Sequence, residues 1–459
     1  MISTEIFKSP ASFRDPSGFI FTQNGKIYRA IKTAYKDNYD LLISSGLYSK
    51  LAAENLLIPH NTANDIAVTE NDIYKIIEPE QIIFISYPYE WSFSQLKDAA
   101  LLTLRIQMIA LEFGMILKDA SAFNIQFHKG KPIFIDTLSF EKYNEGEPWI
   151  AYRQFCSHFL APLLLMKYRD LRMNRLLSLF IDGIPLDMAR RILPVKAFLK
   201  FSHLSHIYLH SLSERYASSN NKKRKVNISK NGMLGLIENL EQTVKRVKIN
   251  IEKSAWRDYY SDNSYLKTEI EKKQRVVEDY INIINPQTIL DLGANTGIFS
   301  RIASSKNIFT ISTDFDPNCV ELNYLDAKKR NDKNILPLLL DLTNPSPELG
   351  WHNRERNAFL KRKKVDVVMA LALIHHLSIS NNVPFEKLVL FFSEMADYLI
   401  IEFVPKDDIQ VKSLLVNRKD IYEEYSQENF EKIFRQRYEL LKKDTVTESG
   451  RALYLMKLK

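Results

Sequence analysis

The sequence has few cysteines and no long apolar run. Among its 459 residues, only Cys156 and Cys319 are cysteines, which is too few for a disulfide framework or a zinc cluster. The first residues lack the basic start, apolar run and cleavage site of a secretory signal, and no stretch nears the roughly 20 apolar residues that cross a bilayer. We therefore expect a cytoplasmic protein without a transmembrane segment.

The composition is that of a folded protein with more than one domain. Hydrophobic residues make up 45% and charged residues 26% of the chain, and domains average roughly 150 residues. The net charge of +8 comes from scattered cations, of which the densest group is "NKKRK" at 221–225. The polar residues around that group predict an exposed basic linker. We expect one domain at 1–215, a linker at 216–232 and a second domain at 233–459.

The carboxy-terminal half alternates strand and helix patterns. Helical periodicity covers 233–249 and 272–286, and apolar strands such as "TILDLG", "FTISTDFD" and "VDVVMALAL" then alternate with helical segments. Near-continuous apolar strands of this kind are typical of a parallel sheet covered on both faces. The pattern predicts an α/β domain.

A glycine turn follows the first of these strands. Gly293 and Gly297 permit a tight turn, and a helix start just after them would offer free N–H groups. The spacing is neither the G-x-G-x-x-G of dinucleotide-binding proteins nor the G-K-[ST] of a phosphate loop. Asp314 and Asp341 end the next two strands, and parallel strands bind ligands beyond their carboxyl ends. A nucleoside pocket is predicted there, with Asp316 as a weaker candidate than Asp314.

The order of motifs in this half resembles that of the class I S-adenosylmethionine-dependent methyltransferases. The motifs are "LDLGANTG", "STDFDP", "LLLDL", "VMALALIHHL", "IIEFVP" and a final "RALYLMKLK". The resemblance implies a Rossmann-like seven-stranded domain. It also implies that Asp291, Gly293 and Gly297, with Asn295 in the same turn, hold the methionine end of the cofactor. Asp314 would bind the ribose, and Asp341 with Leu342 would frame the adenine.

The histidine pair in "ALALIHHLSIS" follows the fourth strand. Methyl transfer from a sulfonium requires in-line positioning and, for some acceptors, removal of a proton. His375 or His376 could be that base, since imidazole titrates near neutrality. The alternative is that a histidine caps the next helix.

Three further residues are candidates for the acceptor site: Trp351, Arg354 and Glu402. With "GW", "NRER", "IHHL" and "EFVPK", the chain resembles a bacterial methyltransferase group that includes nodulation-associated proteins. The aromatic cluster at 255–265 could stack on a substrate, but packing between a helix and the sheet is the better interpretation.

The amino-terminal half predicts a two-lobed α+β domain. A hairpin around Asn24-Gly25 precedes a helical segment at 39–58, a strand at 81–91 and a long helix from 93. A second short hairpin then leads to Asp136, and the remainder to about 216 is mostly helical.

This half resembles protein-kinase-like and aminoglycoside-kinase-like folds through Asp119, Asn124 and Asp136, spaced as a catalytic loop and metal ligand. The resemblance implies Mg-ATP, with magnesium at Asn124 and Asp136 and a Lys32–Glu54 pair beside the phosphates. "LKD" and "IDT" depart from the usual triplets, and no glycine-rich loop precedes Lys32. In the alternative, Asp119 caps a turn and Asp136 ends a strand.

These features together predict S-adenosylmethionine-dependent methyl transfer to an unidentified small-molecule, saccharide or lipid-linked acceptor. Two alternatives stay open. One is an RNA methyltransferase that grips phosphates through its positive charge. The other is a cofactor-binding scaffold with a non-catalytic kinase-like domain. The oligomeric state is not indicated by the sequence.

Overall fold

A computed structural model describes residues 6–66, 68, 70–209, 227–251, 267–416 and 420–459. The chain forms two compact units. The first comprises Met1–Asn250 with Glu348–Asn357, and the second comprises Ile251–Pro347 with Ala358–Lys459. The predicted basic group at 221–225 and the aromatic cluster at 255–265 lie outside the described residues. No helix in the described part of the chain is both long and apolar enough to span a membrane.

A five-stranded antiparallel sheet begins the first unit, with the strand order β1-β2-β3-β5-β4. Asn24 and Gly25 both have positive φ angles, as a two-residue hairpin turn requires, so the predicted hairpin is confirmed. The strands are β1 (Phe7–Lys8), β2 (Gly18–Gln23), β3 (Lys26–Lys32), β4 (His60–Thr62) and β5 (Ile73–Pro79).

Helices and two short strand pairs, β6 with β9 and β7 with β8, complete this unit. The two-lobed α+β prediction is confirmed. The helical segment at 39–58 is divided in two at Gly46, whose φ is 84°. The short strands are β6 (Met115–Leu117), β7 (Ile125–His128), β8 (Lys131–Phe134) and β9 (Phe140–Lys142), and the helices are α1 (Lys36–Ser44), α2 (Leu47–Ala53), α3 (Phe93–Glu112), α4 (Tyr152–Phe155), α5 (Ala161–Tyr168), α6 (Leu176–Leu179), α7 (Leu186–Ile192), α8 (Phe201–His203) and α9 (Lys230–Arg246).

The strand predicted at 81–91 is wrong, because no strand of the structure covers these residues. The backbone at Ser86 pairs with the side chain of buried Gln126, where a strand would pair with a neighbouring strand. The Ser86 N–H donates to Gln126 Oε1 at 2.9 Å, and Gln126 Nε2 donates to the Ser86 carbonyl at 2.9 Å. Buried backbone groups need partners, and here a side chain supplies both.

Helix α9 belongs to the first unit, although the sequence pattern assigned residues from 233 onward to the second domain. The helix packs against α3. Lys97 of α3 donates to the carbonyls of Lys245 and Val247, at 2.9 and 2.8 Å. These bonds satisfy carbonyls that the end of a helix leaves without partners.

The second unit is built on a seven-stranded sheet with the order β12-β11-β10-β13-β14-β16-β15. The first five strands in this order are parallel, and β16 is antiparallel to both its neighbours. The Rossmann-like seven-stranded domain implied by the sequence is thus confirmed. The strands are β10 (Thr288–Leu292), β11 (Phe309–Asp314), β12 (Ile335–Leu339), β13 (Val365–Ala370), β14 (Ala396–Phe403), β15 (Tyr438–Thr445) and β16 (Ala452–Leu458).

The core of this unit lies between the sheet and its helices. Val277, Tyr280 and Ile281 from one helical face pack against buried residues of the central strands. The spacing of these apolar residues explains why the pattern at 272–286 predicted a helix. The helices are α10 (Lys267–Ile284), α11 (Ser300–Ser304), α12 (Pro317–Arg330), α13 (Phe385–Met395), α14 (Ile409–Leu415) and α15 (Gln427–Arg437).

A buried ion pair joins α10 to the end of β14. Lys273 Nζ lies 2.6 Å from Glu402 Oε2, and both side chains are almost fully buried. The same carboxylate oxygen accepts the Ala372 N–H at 2.7 Å. Burial lowers the pKa of Lys273, while the neighbouring Glu402 acts in the opposite direction. Neither charge can be removed alone without leaving the other buried and unpaired.

We expect Lys273→Met to lower the free energy of unfolding by about 3 to 5 kcal/mol, because it removes the ammonium group that balances the buried Glu402 charge. The double variant Lys273→Met/Glu402→Gln keeps an acceptor for Ala372 and should recover most of that loss. Denaturant unfolding measures both effects. Lys364→Met, which breaks the exposed pair with Asp397, is the control and should change stability by about 1 kcal/mol at most. A double variant less stable than the single one would contradict this account.

Candidate active site

The turn after β10 depends on two glycines with positive φ angles. Gly293 has φ 71° and Gly297 has φ 79°. A Cβ atom at Gly297 would lie 2.3 Å from Asn323 Oδ1, so no other residue fits there without displacing Asn323. The Ala294 N–H donates to the Thr313 carbonyl at 2.9 Å and ties the turn to β11.

The helix expected after the turn is present but short, and the Gly297 N–H is already bonded within the turn. Helix α11 begins only at Ser300 and is five residues long. The Gly297 N–H donates to the Ala294 carbonyl at 2.9 Å, and Arg301 donates to the Thr296 carbonyl. These hydrogen bonds fix the conformation of the turn.

Asp314 is buried at the end of β11, beside the turn. Its Oδ2 accepts the Asn295 N–H at 2.8 Å and its Oδ1 accepts the Asp316 N–H at 2.9 Å. Burial raises the pKa of Asp314 to about 6. Asp316 instead caps α12 by accepting the Asn318 N–H, so the two acids have different roles.

Asp341 and Leu342 follow β12 and are half-buried. Asp341 Oδ1 accepts hydrogen bonds from the N–H and the hydroxyl of Thr343, at 3.0 and 2.7 Å. The Leu340 N–H donates to the Asp314 carbonyl at 2.9 Å, which holds the two strand ends side by side. The acids predicted at adjacent strand ends are thus neighbours in the structure.

Asp291 is a second buried acid within β10. Burial raises its pKa to about 7; the Ser300 hydroxyl, 2.5 Å from Oδ2, partly offsets this rise, and the charge of Asp314 adds to it. Two neighbouring buried carboxyls that resist ionisation would each become easier to ionise beside a cation. Burial thus outweighs the groups that stabilise the ionised forms of these two acids.

The histidine pair follows β13, with ring centroids 4.0 Å apart. His375 is fully buried, and neither of its ring nitrogens has a hydrogen-bond partner in the described part of the chain. His376 is half-buried. Burial lowers the pKa of His375 well below its usual range and that of His376 to about 4, and the positive charge of Arg451 lowers both further. Both imidazoles are therefore neutral near pH 7, a state that can accept a proton.

Arg451 and Asp408 form a second buried ion pair in this unit, which the sequence pattern did not reveal. The guanidinium donates from Nε and Nη2 to the two carboxylate oxygens, each at 2.7 Å. Two parallel bonds of this kind fix the orientation of both groups. The charge that acts on the histidines is therefore held in a fixed position.

The three predicted acceptor residues are divided between the two units. Glu402 is fully buried and bound to Lys273 and to the Ala372 N–H, so it holds structure together. Trp351 and Arg354 lie in the segment that belongs to the first unit. Trp351 is 72% exposed there.

Glu355 fixes that segment within the first unit. Its buried carboxylate accepts two hydrogen bonds from Arg14, at 2.9 and 2.7 Å, and one from the Trp351 N–H at 2.6 Å. These partners lower the pKa of Glu355 against the effect of burial. No local pattern could have paired Arg14 with a residue 341 positions away.

The kinase-like residues of the first unit are only partly brought together. The negative charge of Asp136 raises the pKa of buried Asp119, after the larger effect of burial, whereas a hydrogen bond from Asn124 lowers it. These three residues are thus neighbours, as predicted.

The predicted pair of Lys32 with Glu54 does not form. Lys32 Nζ lies 3.0 Å from Asp72, while Glu54 binds Lys50 and Arg105 at 2.7 and 2.5 Å. Asp136 is paired with Arg29 instead. The motif "YRAIK" contains both cations, and the sequence alone does not show which one reaches Asp136.

Comparisons with solved structures give resemblances at low identity. Magnesium protoporphyrin IX methyltransferase (ChlM) from Synechocystis PCC 6803, with bound SAH, is 17% identical and matches 44% of this chain and 93% of its own, with a TM-score of 0.32. The bifunctional kinase-methyltransferase WbdD is 15% identical and matches 44% of this chain and 42% of its own, with a TM-score of 0.30. No protein-family model matches the chain.

A curated relative matches almost the whole chain. The nodulation protein NoeA of Rhizobium meliloti (strain 1021) is 34% identical over 452 residues, which cover 96% of this chain and 94% of the relative. This match confirms the resemblance to a nodulation-associated group. The chain belongs to the family of the nodulation protein NoeA.

Proposed function

We propose that the second unit is an S-adenosylmethionine-dependent methyltransferase. The observation that carries the proposal is the alignment of three features at adjacent strand ends: the Gly293–Gly297 turn, Asp314 and Asp341. A nucleoside that lies along this edge would meet a close backbone approach and two carboxylates. In this proposal the turn, with Asp291 and Asn295, holds the methionine end, Asp314 binds the ribose hydroxyls, and Asp341 with Leu342 borders the adenine.

The carboxyl groups of Asp291 and Asp314 suit this cofactor in charge as well as in position. Burial raises the pKa values of Asp291 and Asp314 to about 7 and 6, because it disfavours their ionised forms more than the hydrogen bonds they accept, and for Asp291 the charge of Lys273, favour them. S-adenosylmethionine supplies a methyl group activated by a positively charged sulfur. Buried carboxylates bind such a cation more readily than a neutral nucleoside of the same shape.

For the acceptor side we propose His376 as the base. It is half-buried, and its neutral form can accept a proton, while burial lowers its pKa to about 4 and so makes it a weaker base than a free imidazole. His375 lies against it and is fully buried, with two ring nitrogens that find no partner in the described residues. Buried polar atoms without partners are uncommon, and a polar acceptor or a water molecule at this place would satisfy them. His375 therefore orients the acceptor or its neighbour, and His376 takes the proton.

A small polar acceptor, such as a saccharide or a lipid-linked sugar, suits this site better than RNA. The strand ends carry Asp291, Asp314 and Asp341, while Lys273 and Arg451 are engaged in buried ion pairs. Acids at the mouth of a site repel a polyanion, whereas RNA binding requires cations that face the phosphates. We therefore propose a saccharide acceptor, and identification of the methylated product tests this proposal.

We expect calorimetry to detect S-adenosylmethionine binding that weakens roughly 10- to 100-fold in Asp314→Ala, the loss of a charge-assisted hydrogen bond. Asp332→Ala is the matched control, because Asp332 binds Ser304 and Asn334 just before β12, away from the carboxyl ends. The Asp332→Ala variant should bind the cofactor with unchanged affinity. Equal affinities for all three proteins would rule out the proposed ribose contact.

Cofactor affinity should rise as the pH is raised from about 5 to about 8. The pKa values of Asp291 and Asp314, about 7 and 6, mean that these acids lose charge, and with it their attraction for the cationic cofactor, as the pH falls through this range. The stability of the unliganded protein should instead fall as the pH rises. Acids with raised pKa values in the folded state bind extra protons, so their contribution to stability is lost as the pH rises through 6 to 7. Thermal unfolding with and without cofactor measures both trends. If the Tm values with and without cofactor changed with pH in the same way, both expectations would be contradicted.

Removal of the base should affect transfer and not cofactor binding. We expect His376→Ala to reduce methyl transfer by roughly 10²- to 10⁴-fold, the usual contribution of a general base, at unchanged affinity for S-adenosylmethionine. The assay incubates the protein with cofactor labelled in the methyl group and a rhizobial cell extract, and the labelled fraction identifies the acceptor. Full transfer by His376→Ala would exclude His376. Cofactor binding without any labelled product from the wild-type protein would favour the scaffold alternative.

A further inference from the structure

Arg29 lies among the residues that the kinase-like resemblance assigns to a metal. Its Nη1 is 2.6 Å from Asp136 Oδ1, and its Nη2 is 3.1 Å from Asp15 Oδ2. Only 12% of the arginine side chain is exposed. A guanidinium is always charged and binds two carboxylates through separate N–H groups. The site thus contains a permanent cation supplied by the chain itself.

A second cation from the chain lies on the other side of Asp15. Lys118 Nζ donates to Ser17 Oγ at 2.9 Å and lies 3.9 Å from Asp15 Oδ1. It also lies 4.8 Å from the centre of the Tyr35 ring, where a cation is attracted to the ring face. Arg29 and Lys118 thus offset most of the charge of the three acids in this cluster, Asp15, Asp119 and Asp136.

Both oxygens of Asp136 already have donors. Oδ1 receives Arg29 and the Leu138 N–H at 3.2 Å, and Oδ2 receives the Ser139 hydroxyl. Asn124 turns its amide NH₂ toward Ser139 Oγ at 3.3 Å. Magnesium needs six oxygen ligands at about 2.1 Å, several of them from water or phosphate. In the described part of the chain, no group of three or more Asp, Glu, His or Cys side chains is arranged to hold a metal ion.

The phosphate side of the resemblance does not fit either. The connection between β1 and β2 contains no glycine and carries Asp15, whose negative charge points to Arg29. Lys32, the expected phosphate-binding lysine, is held by Asp72. A triphosphate would therefore meet a carboxylate where it needs backbone N–H groups and a free ammonium.

We infer that Arg29 is the resident cation of the first unit and stands where the resemblance would place magnesium. An internal network of Arg29, Asp15, Asp136 and Ser139 closes the site, so this unit does not bind Mg-ATP. The Asp119, Asn124 and Asp136 constellation keeps its arrangement because the arginine, and not a metal, balances its charge. This inference is independent of the cofactor site in the second unit.

The wild-type, full-length protein gives the first test. We expect no saturable binding of Mn²⁺ in electron paramagnetic resonance titrations and no rise in Tm when Mg²⁺ and ATP are added together. Saturable Mn²⁺ binding that disappears in Asp136→Asn would overturn the inference, as would a magnesium-dependent rise in Tm with ATP. This measurement needs no Arg29 variant and therefore holds even if such variants fold poorly.

A double-mutant cycle gives the second test. Arg29→Met and Asp136→Asn should each lower the Tm, and the double variant should lower it by clearly less than the sum of the two, because the residues contact each other. Arg105→Met is the matched control, since its pair with Glu54 is exposed, and it should leave the Tm nearly unchanged. Strictly additive effects of Arg29→Met and Asp136→Asn would show that the pair does not interact and would overturn the proposal.

Discussion

Parallel strand pairing is the constraint on which the second unit depends. Strands β10 to β14 run in one direction, so every connection must cross the sheet and every carboxyl end emerges at the same edge. That rule, rather than any local motif, brings the Gly293 turn, Asp314, Asp341 and the histidines to one edge. The Lys273–Glu402 ion pair links helix α10 to the end of β14 at this edge. The chemistry of the site is thus a consequence of strand direction.

The sequence predicted features whose cause is local. Asn24-Gly25 specifies a hairpin through its positive φ angles, and Asp314 ends a strand in a periodic pattern. Partners of charged groups were not predictable. Glu402 resembles a site residue in sequence but is bound to Lys273, and Asp136 is paired with Arg29 from a different strand. Such pairs depend on which residues the fold brings together, and similar cations within one motif cannot be told apart by spacing.

Buried acids of this chain differ in how far neighbouring groups offset their burial. Arg29 lies within 2.6 Å of Asp136 and balances its charge. Burial raises the pKa values of Asp291 and Asp314, and at Asp291 the charge of Lys273 offsets only part of the rise. Unbalanced charge is unfavourable in a folded protein unless a ligand restores the balance.

The ten residues Glu348–Asn357 have a consequence for how the chain can be divided. They lie between β12 and β13 in sequence, yet they belong to the first unit, where Glu355 binds Arg14 and the Asn357 N–H donates to Tyr87. A fragment that stops at Asn250 would lack these partners, and Arg14 would keep only the more distant Asp182, at 3.9 Å. The second unit, expressed alone, would carry a ten-residue loop without its binding surface. No single cut between the two units therefore keeps the Arg14–Glu355 pair together.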